Sequence, residues 1–348
     1  MASPVVGFTA AGADGAERIL IYGEPAGVRE GEEMSLKPGQ FLKRAIGVLG
    51  IPVVLAAAMA LRADAQAAPQ NQASPVTEQP KGKSFSTPKD AADALYAAAR
   101  RNDDADLLAI LGPEGKEIIE WSNDRKEHEA QREHFAQKYR QMHRLIHEPD
   151  GTVALYVGSE NWPLPIPLVE YKGAWYFDAG LGKQEIRFRR IGRNEIESLE
   201  VCHALAEAEK EYYAEAHHYT DKFVSTGESR DGLYWNASGA KRSPIGPYLA
   251  HAGVEGASRT GREPYHGYYY RILLTESPAS SARGGAGSAK AGNFAVLAFP
   301  AEYRSSGVMT YLMDEDGNTR EKDLGESTET LAGQITSYNL DDSWKPVE

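Results

Sequence analysis

A chain of 348 residues with 41% hydrophobic and 25% charged residues has the composition of a folded protein, which excludes disorder along its whole length and favours two domains. Its formal net charge of −12 sets the long-range field against nucleic acid and anionic membrane surfaces, so no nucleic-acid partner is expected. The single cysteine, Cys202, cannot form an internal disulfide.

Near the N-terminus, Lys37, Lys43 and Arg44 precede an apolar run from Ala45 to Leu61, followed by Ala63-Asp64-Ala65-Gln66-Ala67. Basic, then apolar, then small residues is the order of an export signal, with cleavage after Ala65 or Ala67. The run is short for a membrane span of about 20 residues and contains Pro52, so a cleaved signal fits better than a retained anchor and no stable membrane span is expected after cleavage. A signal begins close to the chain start, which makes Met34 the expected physiological start, residues 1–33 an upstream extension and residues 34–67 the signal peptide. No cysteine lies beside the cleavage site for lipid attachment. The protein is thus expected to be periplasmic or secreted. Residues 68–83, rich in Pro, Gln, Ala and Ser without apolar periodicity, read as a disordered linker.

Folding is expected from about Ser84. Thr87 is a natural N-cap, with Pro88 at the first helical position, and Ala91, Ala94, Leu95 and Ala98 mark one face of a helix to Arg101. A short helix over Ala105 to Leu111 stops at Gly112-Pro113. A third spans Asp124 to Glu148, with Phe135, Tyr139, Met142 and Ile146 at helical spacing. The period then changes to two, predicting strands over Thr152 to Gly158, Pro165 to Tyr171 and Ala174 to Asp178, the last two joined by Lys172-Gly173. Helices first and then a meander, with "STPKDAADAL" and "YKGAWYFD" as cues, resembles the cystatin-like cone, in which helices pack on a curved antiparallel sheet; this domain is assigned 84–186.

A second domain is assigned 193–348. Asn194 reads as an N-cap with Glu197 three residues on, and Ile196, Leu199, Cys202, Leu205 and Ala206 form a stripe on a helix reaching Tyr213. Alternating aromatics in Tyr268 to Leu274 and Phe294 to Phe299 predict strands, and Asp316-Gly317 predicts a hairpin turn. One helix followed by a small antiparallel sheet resembles the soluble head of type II secretion pseudopilins and type IV pilins. The helix departs from those families, because Glu195, Glu197, Glu200, Glu207, Glu209 and Lys210 leave it without an apolar stem. The fold class expected for the whole is α+β.

The segments "FSTPKDAADAL", "LLAILGPEG", "NWPLPIPLV", "RRIGRNEI", "RDGLYW", "PYHGYYYRIL" and "GVMTYLM" together make residues 84–348 resemble the bacterial domain-of-unknown-function family 2950. The resemblance implies an envelope protein with an N-terminal signal and brings no activity with it.

Several residues could carry chemistry. His143 and His147 are four apart on the expected third helix, a metal-binding spacing, but Arg144, Leu145 and Ile146 between them include no carboxylate, so a solvated helix face is the reading kept and no metal is expected. His217-His218 diverge on any regular element. Asp314, Asp316 and Asn318 begin like a calcium loop, yet Thr319 and Gly325 stand where that loop needs its glycine and its final glutamate, so a hairpin turn is the reading kept. Among the four arginines between Arg187 and Arg193, Arg189, Arg190 and Arg193 could capture an anion or clamp the two domains together.

Trp162, stiffened by Pro163, Pro165 and Pro167, could bind a partner or line its own sheet, and Trp235 belongs to a similarly aromatic passage. Tyr265, His266, Tyr268, Tyr270 and Arg271 offer stacking faces and hydrogen-bonding groups to a glycan or peptide, although core packing explains alternate members. No nucleophile elbow, P-loop or dinucleotide glycine pattern occurs. The expectation is an exported module, more a binding or structural protein than an enzyme, taking an envelope protein, peptide or glycan as partner and no cofactor. The alternatives are a small acid/base enzyme with its site in the N-terminal cone and a pilus- or secretion-associated subunit.

Overall fold

The computed structural model describes residues 81–120, 124–227, 229–236, 242–255, 260–275, 293–338 and 340–347. The expected extension, signal peptide and most of the linker lie outside the described residues. The chain enters through α1 (Pro88–Arg101), where the Thr87 hydroxyl accepts from the backbone N–H of Asp90, and α2 (Asp104–Leu111), capped by Asp103 and ended at Gly112 with φ +74°. A short 3-10 turn, Pro113–Gly115, leads to α3 (Lys116–Ile119). Next come α4 (Arg125–Gln141) and the strands β1 (His143–His147), β2 (Val153–Val157), β3 (Trp162–Pro163), β4 (Leu168–Tyr171) and β5 (Ala174–Phe177).

The first sheet is antiparallel in the order β1-β2-β4-β5, with β3 paired to β2. Lys172 and Gly173, at φ +51° and +78°, join β4 to β5 with the primed turn that matches strand twist. Leu95, Leu107, Phe135 and Tyr139 from the helices meet Leu155, Leu168 and Phe177 from the strands in one buried cluster.

The expected third helix is shorter than its periodicity promised. It ends at Gln141, Met142 adopts extended backbone at φ −163°, and the next five residues pair with β2 from His143↔Val157 to His147↔Val153. Strand pairing offers Leu145 and Ile146 a hydrogen-bonded ladder and outweighs the helical pattern, so the two histidines occupy the ends of one strand. Four residues at about 3.3 Å each separate them by roughly 13 Å, which rules out a shared metal ion. His143 instead stacks on Tyr139, centroids 3.9 Å apart.

The long helix α5 (Ala179–Ala216) corrects a second expectation. It runs unbroken for 38 residues from its N-cap Asp178, whose carboxylate accepts from the Leu181 N–H at 2.9 Å. Asn194 is therefore a buried mid-helix residue and not a cap, and the arginines from Arg187 to Arg193 lie on the same helix. Replacing Asp178 by Ala is expected to cost about 1 kcal/mol in urea unfolding; a change below a few tenths would show that the cap is not what starts the helix.

Beyond α5 follow α6 (Pro247–Ala252), β6 (Tyr268–Thr275), β7 (Asn293–Pro300), β8 (Met309–Asp314), β9 (Thr319–Asp323), α7 (Thr328–Gln334) and β10 (Lys345–Pro346). The second sheet, order β10-β9-β8-β7-β6, is antiparallel. It is buried on both faces. Tyr268, Tyr270, Ile272, Val296 and Met313 face α5, where Cys202 and Leu205 pack. Tyr269, Leu273, Leu297 and Leu312 face Ala332 of α7 and Trp344. At the β8–β9 turn the Asp314 carboxylate accepts from the backbone N–H groups of Asp316 (3.0 Å) and Asn318 (2.8 Å) and from the Asn318 amide, so the hairpin itself uses the Asp314 carboxylate. The architecture is α+β, with two antiparallel sheets.

Candidate functional site

The best-defined polar cluster is built by a tight turn pressed against the middle of α5. Tyr265 and Tyr268 exchange backbone hydrogen bonds of 3.0 and 3.1 Å, and His266 and Gly267 between them have φ +50° and +73°. Two left-handed central residues define the primed two-residue turn. Only glycine suits position 267, because a Cβ there would lie 2.3 Å from Asn194 Nδ2. His266 accepts the same backbone with a side chain attached, an uncommon conformation outside functional or tightly held positions.

The turn directs His266 Nδ1 to within 2.7 Å of Glu197 Oε2 on α5, both side chains being about one-third exposed. That oxygen has no aligned donor, so the contact is a close approach and not a straight hydrogen bond. Arg193 stands one helical turn before Glu197; burial pushes its pKa down, and the Glu197 charge opposes that shift. The Tyr265 phenol is pushed up by burial and then by Glu197, and its ring meets the His266 ring at 4.1 Å, tilted by 69°. Guanidinium, carboxylate, phenol and imidazole thus converge from two segments about 70 residues apart in sequence.

Neighbouring bonds hold this junction in place. Asn194 Nδ2 donates to the Ser306 carbonyl at 2.7 Å, and Glu195 Oε1 accepts from the Val308 and Met309 N–H groups at 2.9 and 3.1 Å. The Ala301 N–H donates to the Gly267 carbonyl at 2.9 Å. The turn is therefore tied both to α5 and to the strand connections beyond it.

A second polar patch lies at the edge of the first sheet. Gln131, His134 and Lys138 follow one another along α4, and Lys138 pairs with Glu160 at 2.5 Å. Both amide atoms of Gln131, His134 Nε2, Asn161 Oδ1 and Trp162 Nε1 are shut off from solvent with no hydrogen-bond partner among the described residues. Burial, then Lys138, lowers the His134 pKa. The Arg189 guanidinium sits 5.2 Å over the Trp162 ring and donates to the Pro163 carbonyl and to Glu185, each at 2.7 Å.

The residues singled out from sequence therefore divide into groups. Arg193, Tyr265 and His266 come together, as do Trp162 and Arg189. Arg190 is half-buried on α5, and the Arg230 guanidinium sits 5.5 Å over the Trp235 ring. Tyr268 and Tyr270 are fully buried, their hydroxyls donating to the carbonyls of Met309 (2.9 Å) and Tyr265 (3.2 Å), so they face the core. Arg271 is buried and donates to the carbonyls of Ala332, Gly333 and Ile335 at 2.8, 3.4 and 3.1 Å, closing the C-terminal end of α7.

Sequence reasoning missed Glu197 as a site residue by casting it as the partner of an Asn194 cap. The signal that pointed to it was His266-Gly267, a turn dipeptide between strand-like tyrosines. Gln131 and His134 carried no sequence signal beyond their place on a charged helix.

Among the described residues, no helix is long and apolar enough to cross a membrane, and no group of three or more His, Cys, Asp or Glu is placed to hold a metal ion. No curated protein and no solved structure matches the chain, and the expected cystatin-like and pilin-head resemblances find no support there. Residues 82–347, nearly all of the described chain, match the family described as "Protein of unknown function (DUF2950)", and the protein belongs to that family.

Proposed function

We propose that the protein is an exported envelope module that binds a peptide or glycan partner through the cluster of Arg193, Glu197, Tyr265 and His266. The observation that carries this reading is the left-handed turn at His266 and Gly267, which holds the His266 imidazole 2.7 Å from Glu197, one helical turn after Arg193 on α5. The cluster holds donors of both charge states, an acceptor and a ring face within one small area, the mixture that recognises hydroxyl, amide and carboxylate groups. The basic stretch, apolar run and small-residue stretch beginning at Met34 support export.

The test has two parts. Residues 34–83 fused to a phosphatase that is active only outside the cytoplasm should give activity, and a silent fusion would end the export reading. The chain is then applied to immobilised cell-wall disaccharide-peptides and oligosaccharides. Binding is expected for the wild type and should weaken about tenfold or more in His266→Ala and Arg193→Ala, while thermal melts show both variants folded. Absence of binding, or equal binding by folded variants, overturns the assignment.

A second reading, an acid/base enzyme in the N-terminal half, draws on the patch at α4, where a neutral imidazole and unpaired amides sit beside Trp162. It predicts that His134→Ala lowers turnover of a compound held at the α4 patch while ligand binding at the α5 junction is unchanged. Unaltered turnover in that variant retires it.

A further inference from the structure

Arg193 and Glu197 stand four residues apart on α5, the spacing at which opposite charges on a helix ordinarily close onto each other. Here they do not. Among the described residues the half-buried Arg193 guanidinium makes no hydrogen bond and no ion pair, although the Glu197 charge acts on it. Glu197 Oε2 is shut off from solvent beside His266 Nδ1 at 2.7 Å, and the 28% exposure of the side chain leaves Oε1 as the oxygen open to a ligand. A positive and a negative group therefore stand roughly 6 Å apart along the helix axis, at 1.5 Å per residue, with the gap between them left open.

The frame around the pair is fixed. Buried Asn194 is tied to the Ser306 carbonyl, Glu195 is engaged by the Val308 and Met309 N–H groups, and the Gly267 carbonyl accepts from the Ala301 N–H. A ligand would find Arg193 and Glu197 already placed, which lowers the ordering cost of binding. The half-buried Tyr265 ring beside His266 adds an apolar wall.

We propose that this pair selects a zwitterionic amino-acid head group, its carboxylate on the Arg193 guanidinium and its ammonium on Glu197 Oε1, with the remainder of the ligand against the Tyr265 ring. The inference rests on the α5 junction being the binding site, and it narrows the partner there to a molecule carrying both charges on one residue. A free amino acid has them, and so does a residue joined to a peptide through its side chain alone. A guanidinium meets a carboxylate through two parallel hydrogen bonds, and an ammonium brings three donors to a carboxylate oxygen. A neutral glycan would leave both protein charges unanswered, and a simple anion on Arg193 would be repelled by Glu197. A zwitterion answers both signs at once.

The test is a nuclear magnetic resonance titration of the full-length chain with four compounds: alanine, Nε-acetyl-lysine, N-acetyl-alanine and alanine amide. The first two keep both charges, the third lacks the ammonium and the fourth lacks the carboxylate. Affinity on the order of 100 μM is expected for a zwitterion, and each blocked form should bind at least about tenfold more weakly. Binding of alanine alone assigns a free amino acid as the source; binding of Nε-acetyl-lysine assigns a side-chain-linked residue. Two variants then locate the contacts. Arg193→Gln should no longer distinguish alanine from alanine amide, and Glu197→Gln should no longer distinguish alanine from N-acetyl-alanine, a matched loss that a general structural defect does not produce. Should one variant fail to fold by circular dichroism, the other and the four-compound comparison still decide. If the wild type binds oligosaccharides but neither zwitterion, or binds the blocked forms as well as alanine, this proposal falls and the wider binding assignment stands. Binding of no compound of either kind removes both, and wild-type preferences retained in the folded variants place the zwitterion elsewhere and overturn the proposal.

Discussion

Arg271→Met is expected to destabilise the protein by about 3–5 kcal/mol, a fall in Tm of roughly 6–15 °C for a chain of this size. The guanidinium is buried in the second sheet without a carboxylate partner among the described residues, and burial holds its pKa below the ordinary arginine value. Its three hydrogen bonds all go to backbone carbonyls at the end of α7, where the partial negative charge of the helix terminus supplies the counter-charge. Methionine keeps the aliphatic stem and removes every donor, taking this partner from the Gly333 and Ile335 carbonyls and leaving the Ala332 carbonyl only the Ile335 N–H at 3.2 Å. Hydrogen exchange should accordingly show α7 losing protection while β1–β5 keep theirs. Arg271→Lys, a point charge without the planar fork, should recover part of the loss. A Met variant within about 1 kcal/mol of wild type would mean that solvent already reaches the end of α7.

The second large effect lies on α5. Glu209 is fully buried, its Oε2 accepts from the Thr220 N–H at 3.1 Å, and its Oε1 has no partner among the described residues. Burial pushes its pKa up to about 8; the nearby Asp221 charge adds to the rise, and the Thr220 N–H opposes it. From its ordinary value of 4.5 up to about 8, the folded protein holds a proton that the unfolded chain has released. Stability therefore falls as pH rises through that window, by an order of magnitude of 3–5 kcal/mol across it. Glu209→Gln keeps the shape and the acceptor but cannot ionise. It should match the wild type near pH 4.5, exceed it increasingly toward pH 8, and remove that part of the pH dependence from urea unfolding curves. An unchanged slope between pH 5 and pH 8 would show that Glu209 is solvated in the native state.

These two residues show what the sequence could and could not convey. Arg271 lies within an alternating aromatic run whose strand was legible, but the same alternation hides which face is sheltered, because the second sheet is covered on both sides and its inward positions read alike. The cap at Thr87 and the turns at Lys172-Gly173 and Asp316-Gly317 were legible because each is governed by a few adjacent residues. The segment from His143 to His147 was not: its helical spacing is real, and only pairing with β2 decides against it. Asn194 followed by Glu197 matched the local pattern of a helix start, whereas Asp178, sixteen residues earlier, had been absorbed into a strand.

Within the candidate site, Arg193, Tyr265 and His266 were visible as chemistry, but their meeting around Glu197 depends on the fold of the residues between them. For the unpaired atoms at α4, burial is the whole signal, and burial is a tertiary property.

The wholly sheltered Cys202 gives the molecule an internal clock. It is the only thiol in the chain, it packs with strands of the second sheet, and burial keeps its pKa well above that of a free thiol. A maleimide added in excess will modify it only during excursions in which α5 lifts from β6–β8, and those excursions expose nothing reactive in the N-terminal half. The labelling rate therefore times the opening of one half of the protein without interference from the other, and its dependence on denaturant separates a local lift of the helix from complete unfolding.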